Sequence, residues 1–536
     1  MSIPNNNTPG LSHALDRRVA LGIALLLAVL ALAMYRPWEP RPFDTRDFSE
    51  FLPLLQGPDG LVGRFGAMLR YYVGEHGRLN LFSYLGLALK WTLLGPSPVL
   101  WQWARFVEMG LITIGAGLLF RRLGLGPVAA SASASLFIVS RLAGEGWTRM
   151  TMGEPLGLLM SLGALHLATG WREARRPVLA AAGAGVLMML AVLAKEMLLG
   201  LLPFVWLVVC CRREDGSLGR PVFDPATRRA LFWSSIPPMA AFAAAALVAL
   251  GGRSEGFTAL YGGSASGLGE FTRLLARPWL IQGVAIDTDA LLLPGNTCFL
   301  LVIAAGVALS WRARGRPVEL AGAGLVAVGL SLAYAILYIP WPYSYLYYAM
   351  PFLLGTAFLF GMAFHRLTES GRGGRIAALI GWAGVVLGTA PATSQSASFA
   401  IALQQVNGEV VSWLGRVPNA DRIVVARGSL APQAWMGTGP TLRRFALVTG
   451  AAHDLPPAAD MLCPDVGSLI RNGIGRAIVI SYRPGCGGIK PSSASVSRPF
   501  RYVWVWWDGA GVAMDSVGAD MLVSRETMMP PSGIAP

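Results

Sequence analysis

The sequence predicts a mostly α-helical, polytopic membrane protein of about eleven transmembrane helices, with a small α/β domain outside the membrane at its C-terminal end. Three observations predict it. The chain of 536 residues is 54% apolar and only 14% charged, too apolar for a soluble protein of that length. Its long apolar runs alternate with short loops that carry arginine clusters. After Ser394 those runs give way to short strand-like segments separated by Gly, Pro and Asp.

Residues 1–18 are read as a cytoplasmic tail. The first apolar run, Val19 to Tyr35, follows Arg17-Arg18 and is long enough to cross about 30 Å of hydrocarbon at about 1.5 Å per residue. Ala31-Leu32-Ala33 loosely fits a signal-cleavage site. Further spans follow, however, and Pro37-Trp38-Glu39-Pro40 reads as an interfacial exit, so a retained anchor is expected. Spans are expected near 19–36, 98–120, 126–143, 152–170, 177–194, 196–211, 230–251, 291–311, 318–339, 345–365 and 376–394. With the amino terminus inside, this map puts Arg121-Arg122, Arg172 to Arg176, Arg212-Arg213 with Arg228-Arg229, Arg312 to Arg316 and Arg366 to Arg375 on the cytoplasmic face. The net charge of +14 is thereby accounted for by topology and calls for no nucleic-acid partner.

Leu81 to Gly95 is apolar but short and carries Lys90. Counted as a span it inverts every later loop, so it is read as juxtamembrane. The transmembrane domain is expected over 19–394, with long outer loops at 37–97 and 252–290. The second of these is rich in Gly and Ser, with Tyr261, Phe271 and Trp279 scattered through it, a composition that suits a flexible lid as well as a passive linker. Residues 395–536 form the periplasmic α/β domain, with strand-like runs at 422–426, 477–481 and 502–507. Its two cysteines, Cys463 and Cys486, are able to pair in an oxidising compartment. Cys210, Cys211 and Cys298 lie in or at the ends of spans and read as packing residues. No Cys or His spacing of the metal-binding type occurs, and no cofactor is expected.

Polar groups in or beside spans are costly, so the side on which they collect is informative. They collect outside. Asp44, Asp47 and Glu50 stand in the first outer loop, Arg149 and Glu154 where a span begins, Lys195 and Glu196 in a tight hairpin, and Trp341 to Tyr348 at another outer corner. Each has an ordinary structural reading. Asp44 suits a helix N-cap with Asp47 at the third position; Lys195 suits snorkelling, paired with Glu196; the tyrosines suit an interfacial belt. Those readings leave the convergence of acids and a rim lysine on one face unexplained. Within spans, Arg105 and Glu108 are the main charged exceptions.

Several segments together resemble the GT-C class of polyprenyl-phosphate-sugar-dependent glycosyltransferases, whose members include protein O-mannosyltransferases and lipid A aminoarabinose transferases. They are FDTRDFSEF (43–51), LFSYLGLALKWTLLGPSP (81–98), Trp103 to Phe106, Gly153-Glu154-Pro155, Ala194-Lys195-Glu196 and Tyr343 to Pro351. The resemblance covers roughly residues 17–365. It implies an enzyme of the bacterial inner membrane that moves a sugar from a polyprenyl-phosphate donor to a glycan, lipid or protein acceptor on the periplasmic side. It further implies Asp44 as catalytic base, with Asp47 as the alternative because Thr45 occupies the family's second acidic position. The chemistry of such a transfer needs a cation to receive the phosphate charge, a role that falls to Lys195 at the membrane rim, with Arg149 and Arg78 as weaker candidates for phosphate contact and Glu154 to orient sugar hydroxyls or Lys195. Glu196, Tyr343 and Tyr345 complete the expected substrate site, although the tyrosine segment lacks the family's arginine. Where some relatives carry an acidic metal ligand this chain has Arg78-Leu79-Asn80, so the resemblance does not support metal dependence. A transporter or flippase of a lipid-linked saccharide, or a surface-polysaccharide polymerase or ligase, is the alternative. A transporter calls for charged or discontinuous helices near mid-membrane and an internal repeat.

Overall fold

The computed structural model describes residues 9–43, 45–57, 60–75, 77–210, 222–251, 268–282, 288–312, 317–338 and 346–414, together with six strands and short stretches near them between 422 and 528. The chain divides into two compact units. One comprises 1–38 with 61–398, the other 39–60 with 399–536.

The helices are, in chain order, α1 (Pro9–Tyr35), α2 (Thr45–Gln56), α3 (Gly60–Leu69), α4 (Leu81–Leu94), α5 (Pro98–Arg122), α6 (Pro127–Ala134), α7 (Leu136–Val139), α8 (Arg141–Thr148), α9 (Glu154–Gly170), α10 (Pro177–Ala194), α11 (Leu202–Cys210), α12 (Pro225–Gly251), α13 (Leu268–Ala276), α14 (Thr288–Leu291), α15 (Pro294–Arg312), α16 (Pro317–Tyr338), α17 (Leu353–Glu369) and α18 (Arg372–Leu414). Among the described residues seven are long and apolar enough to cross a membrane: α1, α5, α10, α12, α15, α16 and α18. The pair formed by α6–α7 and α8, bent by 51°, is an eighth if counted as one broken span. Their outward faces carry apolar stripes at helical spacing, such as Leu21, Leu25 and Val29 on α1 and Leu325, Val328, Leu332 and Ile336 on α16. Such stripes suit hydrocarbon and not water.

Among the described residues the remaining apolar helices are shorter than a full span. The apolar run after Lys195 opens with a 3-10 turn, Glu196–Leu201, that leads into α11, and the described part of this run, Glu196–Cys210, is too short to count as a span. Helices α9 and α17 have 17 residues each. Fourteen of the seventeen in α17 are buried, so it serves as the central helix against which α15, α16 and α6 pack. The α15–α17 crossing is close enough that a Cβ at Gly306 would meet the Ala363 backbone at 2.5 Å, the small-residue packing that brings helices together in lipid.

Residues 268–282, within the second long loop, pack against the bundle. Leu274, Leu280 and Ile281 are buried, Trp279 Nε1 donates to Ser331 Oγ at 2.9 Å, and Thr356 Oγ1 donates to the Pro278 carbonyl. Apolar residues at i, i+3 and i+4 give α13 a face that packs on α16, which anchors this half of the loop. Residues 252–267 and 283–287 lie outside the described residues.

In the second unit, β1 (Arg422–Arg427), β2 (Ala458–Leu462), β3 (Arg476–Ser481), β4 (Arg501–Trp507), β5 (Val512–Gly518) and β6 (Glu526–Met528) form one sheet in the order β2-β1-β3-β4-β5-β6. The first four strands are parallel neighbours, with Ile423 opposite Ile478 and Val479 opposite Trp504, while β5 and β6 add antiparallel at one edge. The near-continuous apolar runs of β1 and β3 are what parallel strands require. Cys463 and Cys486 lie outside the described residues, and Cys210 and Cys298 are free thiols.

Candidate functional site

In the first unit the functional side chains are positioned by three helix ends that meet. Helix α9 begins at Glu154, with Pro155 in its first turn, where proline loses nothing and a carboxylate is favoured by the helix dipole. Helix α10 ends at Ala194, and Lys195 follows with extended backbone (φ −158°, ψ 117°) before the 3-10 turn. Helix α4 supplies the third wall. A Cβ at Gly153 would lie 2.6 Å from Ser83 Oγ of α4 and 2.8 Å from the Ala194 carbonyl of α10. Only glycine allows that approach, and it sets Lys195 beside Glu154.

Lys195 Nζ lies 3.5 Å from Glu154 Oε1, with the two side chains 17% and 5% exposed. The ammonium also lies 5.3 Å from the ring centroid of Tyr348, a cation–π distance. Tyr348 in turn stacks on Tyr338 at 4.9 Å and touches Tyr347 at 4.3 Å. Over Tyr347, at 5.2 Å, stands the guanidinium of Arg149. Two cations thus flank a tyrosine pair. Burial works against the Lys195 charge, but the carboxylates of Glu154 and then Glu196 offset it, with Arg78 opposing; the net direction is upward from the ordinary lysine value. Lys195 is therefore a permanent cation. Burial also raises the phenol of Tyr348, with Lys195 opposing, so that ring stays neutral.

The segment Arg149–Gly153 that leads into Glu154 is held by a buried charge network. Arg105 Nη2 donates to the carbonyls of Met150 (2.8 Å) and Met152 (3.0 Å). Its Nη1 pairs with Glu108 at 2.6 Å, and Glu108 also pairs with Lys90 from α4. Without Arg105 the Lys90–Glu108 pair remains, but the charge-assisted bonds to the Met150 and Met152 carbonyls are lost. Arg105→Leu is accordingly expected to cost about 3 kcal/mol of stability, read as a lowered unfolding temperature in detergent. An unchanged temperature would contradict the role of Arg105 as the brace.

Of the residues singled out in the sequence, Lys195, Glu154, Glu196, Arg149 and Arg78 come together in this unit. Arg78 and Glu196 lie within electrostatic reach of both Lys195 and Tyr84. The Lys195 partner is Glu154 and not the adjacent Glu196 expected from a snorkelling pair. The acidic helix α2 belongs to the other unit; it starts at Thr45 and carries Asp47 at its third position. Asp44, Tyr343 and Tyr345 lie outside the described residues. Sequence reading missed Tyr347 and Tyr348 as the tyrosines beside the cations, though both stand in the segment it singled out. Their selection follows from the 3-10 turn Leu346–Ala349, which sequence did not predict.

The cluster sits at one common end of the spans. It follows the last residue of α10, adjoins the last residue of α16 through Tyr338, and braces on the first turns of α5. The arginine clusters sit at the opposite ends, before α10 and after α5. Chemically, a permanent cation held by a buried carboxylate, a second cation and neutral aromatic faces form a receptor for an anion that carries an apolar or sugar-like body.

No family profile matches the chain, and no curated protein does. Among solved structures it is similar to ArnT of Cupriavidus metallidurans in the apo state, at 12% identity, covering 90% of this chain and 93% of that one with a TM-score of 0.47. The same ArnT bound to undecaprenyl phosphate matches at 13% identity with the same coverages and a TM-score of 0.46. The oligosaccharyltransferase of Archaeoglobus fulgidus, in complex with zinc and sulfate, matches at 12% identity over 82% of this chain and 62% of that one, with a TM-score of 0.44.

Proposed function

We propose that the chain is an integral membrane glycosyltransferase that moves a sugar from a polyprenyl-phosphate donor to an acceptor hydroxyl at the face of the membrane opposite the arginine clusters. The observation that carries it is the buried Lys195–Glu154 pair, with Arg149 alongside, at the rim of the spans. A lipid-linked donor arrives laterally with its phosphate at that depth. In a bacterial inner membrane the positive-inside rule makes that face periplasmic and the amino terminus cytoplasmic, where no nucleotide sugar is at hand and a lipid carrier supplies the donor.

The chemistry asks for a base and a cationic receiver. Asp44, or Asp47 if Asp44 serves only as helix cap, takes the acceptor hydroxyl proton as its oxygen attacks the anomeric carbon. The bond from that carbon to the phosphate oxygen breaks, and polyprenyl phosphate leaves with the electron pair. Direct displacement inverts the anomeric configuration. The leaving group is already a weak base, so no general acid is needed, and Lys195 receives the charge that develops on it. Arg149 and Arg78 add positive potential. Glu154 holds the ammonium in place, and Glu196, Tyr343 and Tyr345 are assigned to the sugar side of the site.

The bend between α7 and α8 is a feature that a transporter reading would claim, as are the charges on α5, which are taken up in bracing Met150 and Met152. The bend is explained by its contents: Ser140 caps α8 by accepting from the Leu142 amide, and α8 ends by delivering Arg149. Deleting the gene and comparing surface glycans by mass spectrometry tests the proposal. A sugar is expected to disappear from one class of surface molecule and to return on complementation. Unchanged glycans would overturn the assignment.

A further inference from the structure

We infer a second lipid site, distinct from the Lys195 cluster, that takes an acyl chain of an anionic glycerophospholipid from the leaflet on the arginine side. A groove of about 470 Å³ runs between α1, α5 and α6. Ala24, Gly110, Gly117 and Ala130 give it a floor of small residues, Phe106 lies at one end, and Arg121 lies at the other. The groove is open to its occupant and not filled by the bundle. A Cβ at Gly110 meets nothing within 4 Å, although the residues around it on α5, Met109 and Ile112, are fully packed.

Length and charge identify the occupant. Phe106 and Arg121 lie fifteen residues apart on one helix, a rise of about 22 Å at about 1.5 Å per residue. That is more than half of a hydrocarbon core of about 30 Å, the reach of one leaflet's acyl chain. The Arg121 side chain is exposed and makes no hydrogen bond or ion pair among the described residues. Arg17 and Arg18, also exposed, stand less than one turn before the groove-lining Ala20 of α1; Asp16 precedes them and lines an adjoining pocket with Glu369, which pairs with Arg366. Arg122 is already engaged, donating to the His166 carbonyl. The groove-lining guanidinium of Arg121, with Arg17 and Arg18 on the turn of α1 before Ala20, fits a phosphate headgroup over a buried tail. The polyprenyl carrier is not that occupant, because its phosphate is proposed at the other end of the spans.

Native mass spectrometry of the purified, delipidated full chain tests this, with phosphatidylglycerol, phosphatidylcholine and polyprenyl phosphate as probes. Phosphatidylglycerol is expected to bind roughly tenfold more tightly than phosphatidylcholine, since only the former leaves a net charge for the arginines. Gly110→Leu, at a position where an added Cβ meets nothing within 4 Å, and Arg121→Gln, at an exposed position, are each expected to remove that preference while leaving glycosyl transfer unchanged. Equal binding of the two phospholipids, or wild-type binding by both variants, would overturn the inference. So would displacement of phosphatidylglycerol by polyprenyl phosphate, which would assign the groove to the carrier.

Discussion

Lys195→Ala is expected to lower transfer by about two to three orders of magnitude, the usual loss when a preorganised charge-stabilising donor is removed. The substitution has two consequences that can be separated. It removes the cation that receives the leaving phosphate, and it leaves Glu154, only 5% exposed, as a buried carboxylate without its partner. The second consequence alone costs about 3–5 kcal/mol of stability. Lys195→Met combined with Glu154→Gln removes both charges, so the double variant should regain much of the stability and none of the activity. Lys195→Arg keeps the charge and is expected to retain measurable transfer. Unfolding temperatures and initial rates, measured together on the four proteins, check this. Activity that tracked stability across the set would contradict a role for Lys195 in the chemistry. Because its neighbours hold Lys195 charged above the ordinary lysine range, its deprotonation should not produce an alkaline fall in rate below that range.

The second large effect concerns the acids of the first outer loop. Whichever of Asp44 and Asp47 is the base should lose about two to four orders of magnitude in kcat on conversion to Asn, with little change in KM. The other should behave as a helix-terminus residue. Because α2 begins at Thr45, Asp44→Ala would then cost about 1 kcal/mol as a lost cap, with kcat intact. Asparagine caps nearly as well as aspartate, so Asp44→Asn separates the two roles cleanly: an inactive but fully stable variant identifies the base. If both Asn variants keep wild-type kcat, neither acid takes the proton.

Much of the site was legible because charge is conspicuous in an apolar sequence. Lys195 stands between two hydrophobic runs, and Glu154 opens another, so the cost of placing them there announced them. The rest was hidden for identifiable reasons. Arg105 was visible as an oddity in a span, but its partners are the carbonyls of Met150 and Met152, and a carbonyl has no sequence signature. The apolar run after Lys195 reads as a helix in hydropathy, whereas the extended Lys195 backbone and the 3-10 turn shorten it. The tyrosine corner was found as a segment, yet which of its rings meet the cations depends on the 3-10 turn Leu346–Ala349 and not on composition. The anchored loop segment 268–282 was concealed in the same way, since only the face of α13, and not the abundance of Gly and Ser beside it, carries the packing information.

The most direct test of the central claim is turnover by the purified full-length chain in proteoliposomes, using as donor the polyprenyl-phosphate-sugar fraction extracted from its own host membranes and as acceptor the lipids and glycans of the deletion strain. The account predicts that free polyprenyl phosphate accumulates with time only when acceptor is present, in step with sugar transfer, and that Lys195→Met with Glu154→Gln, though folded, releases none. Absence of release by the wild-type chain, or equal release by the double variant, would contradict it.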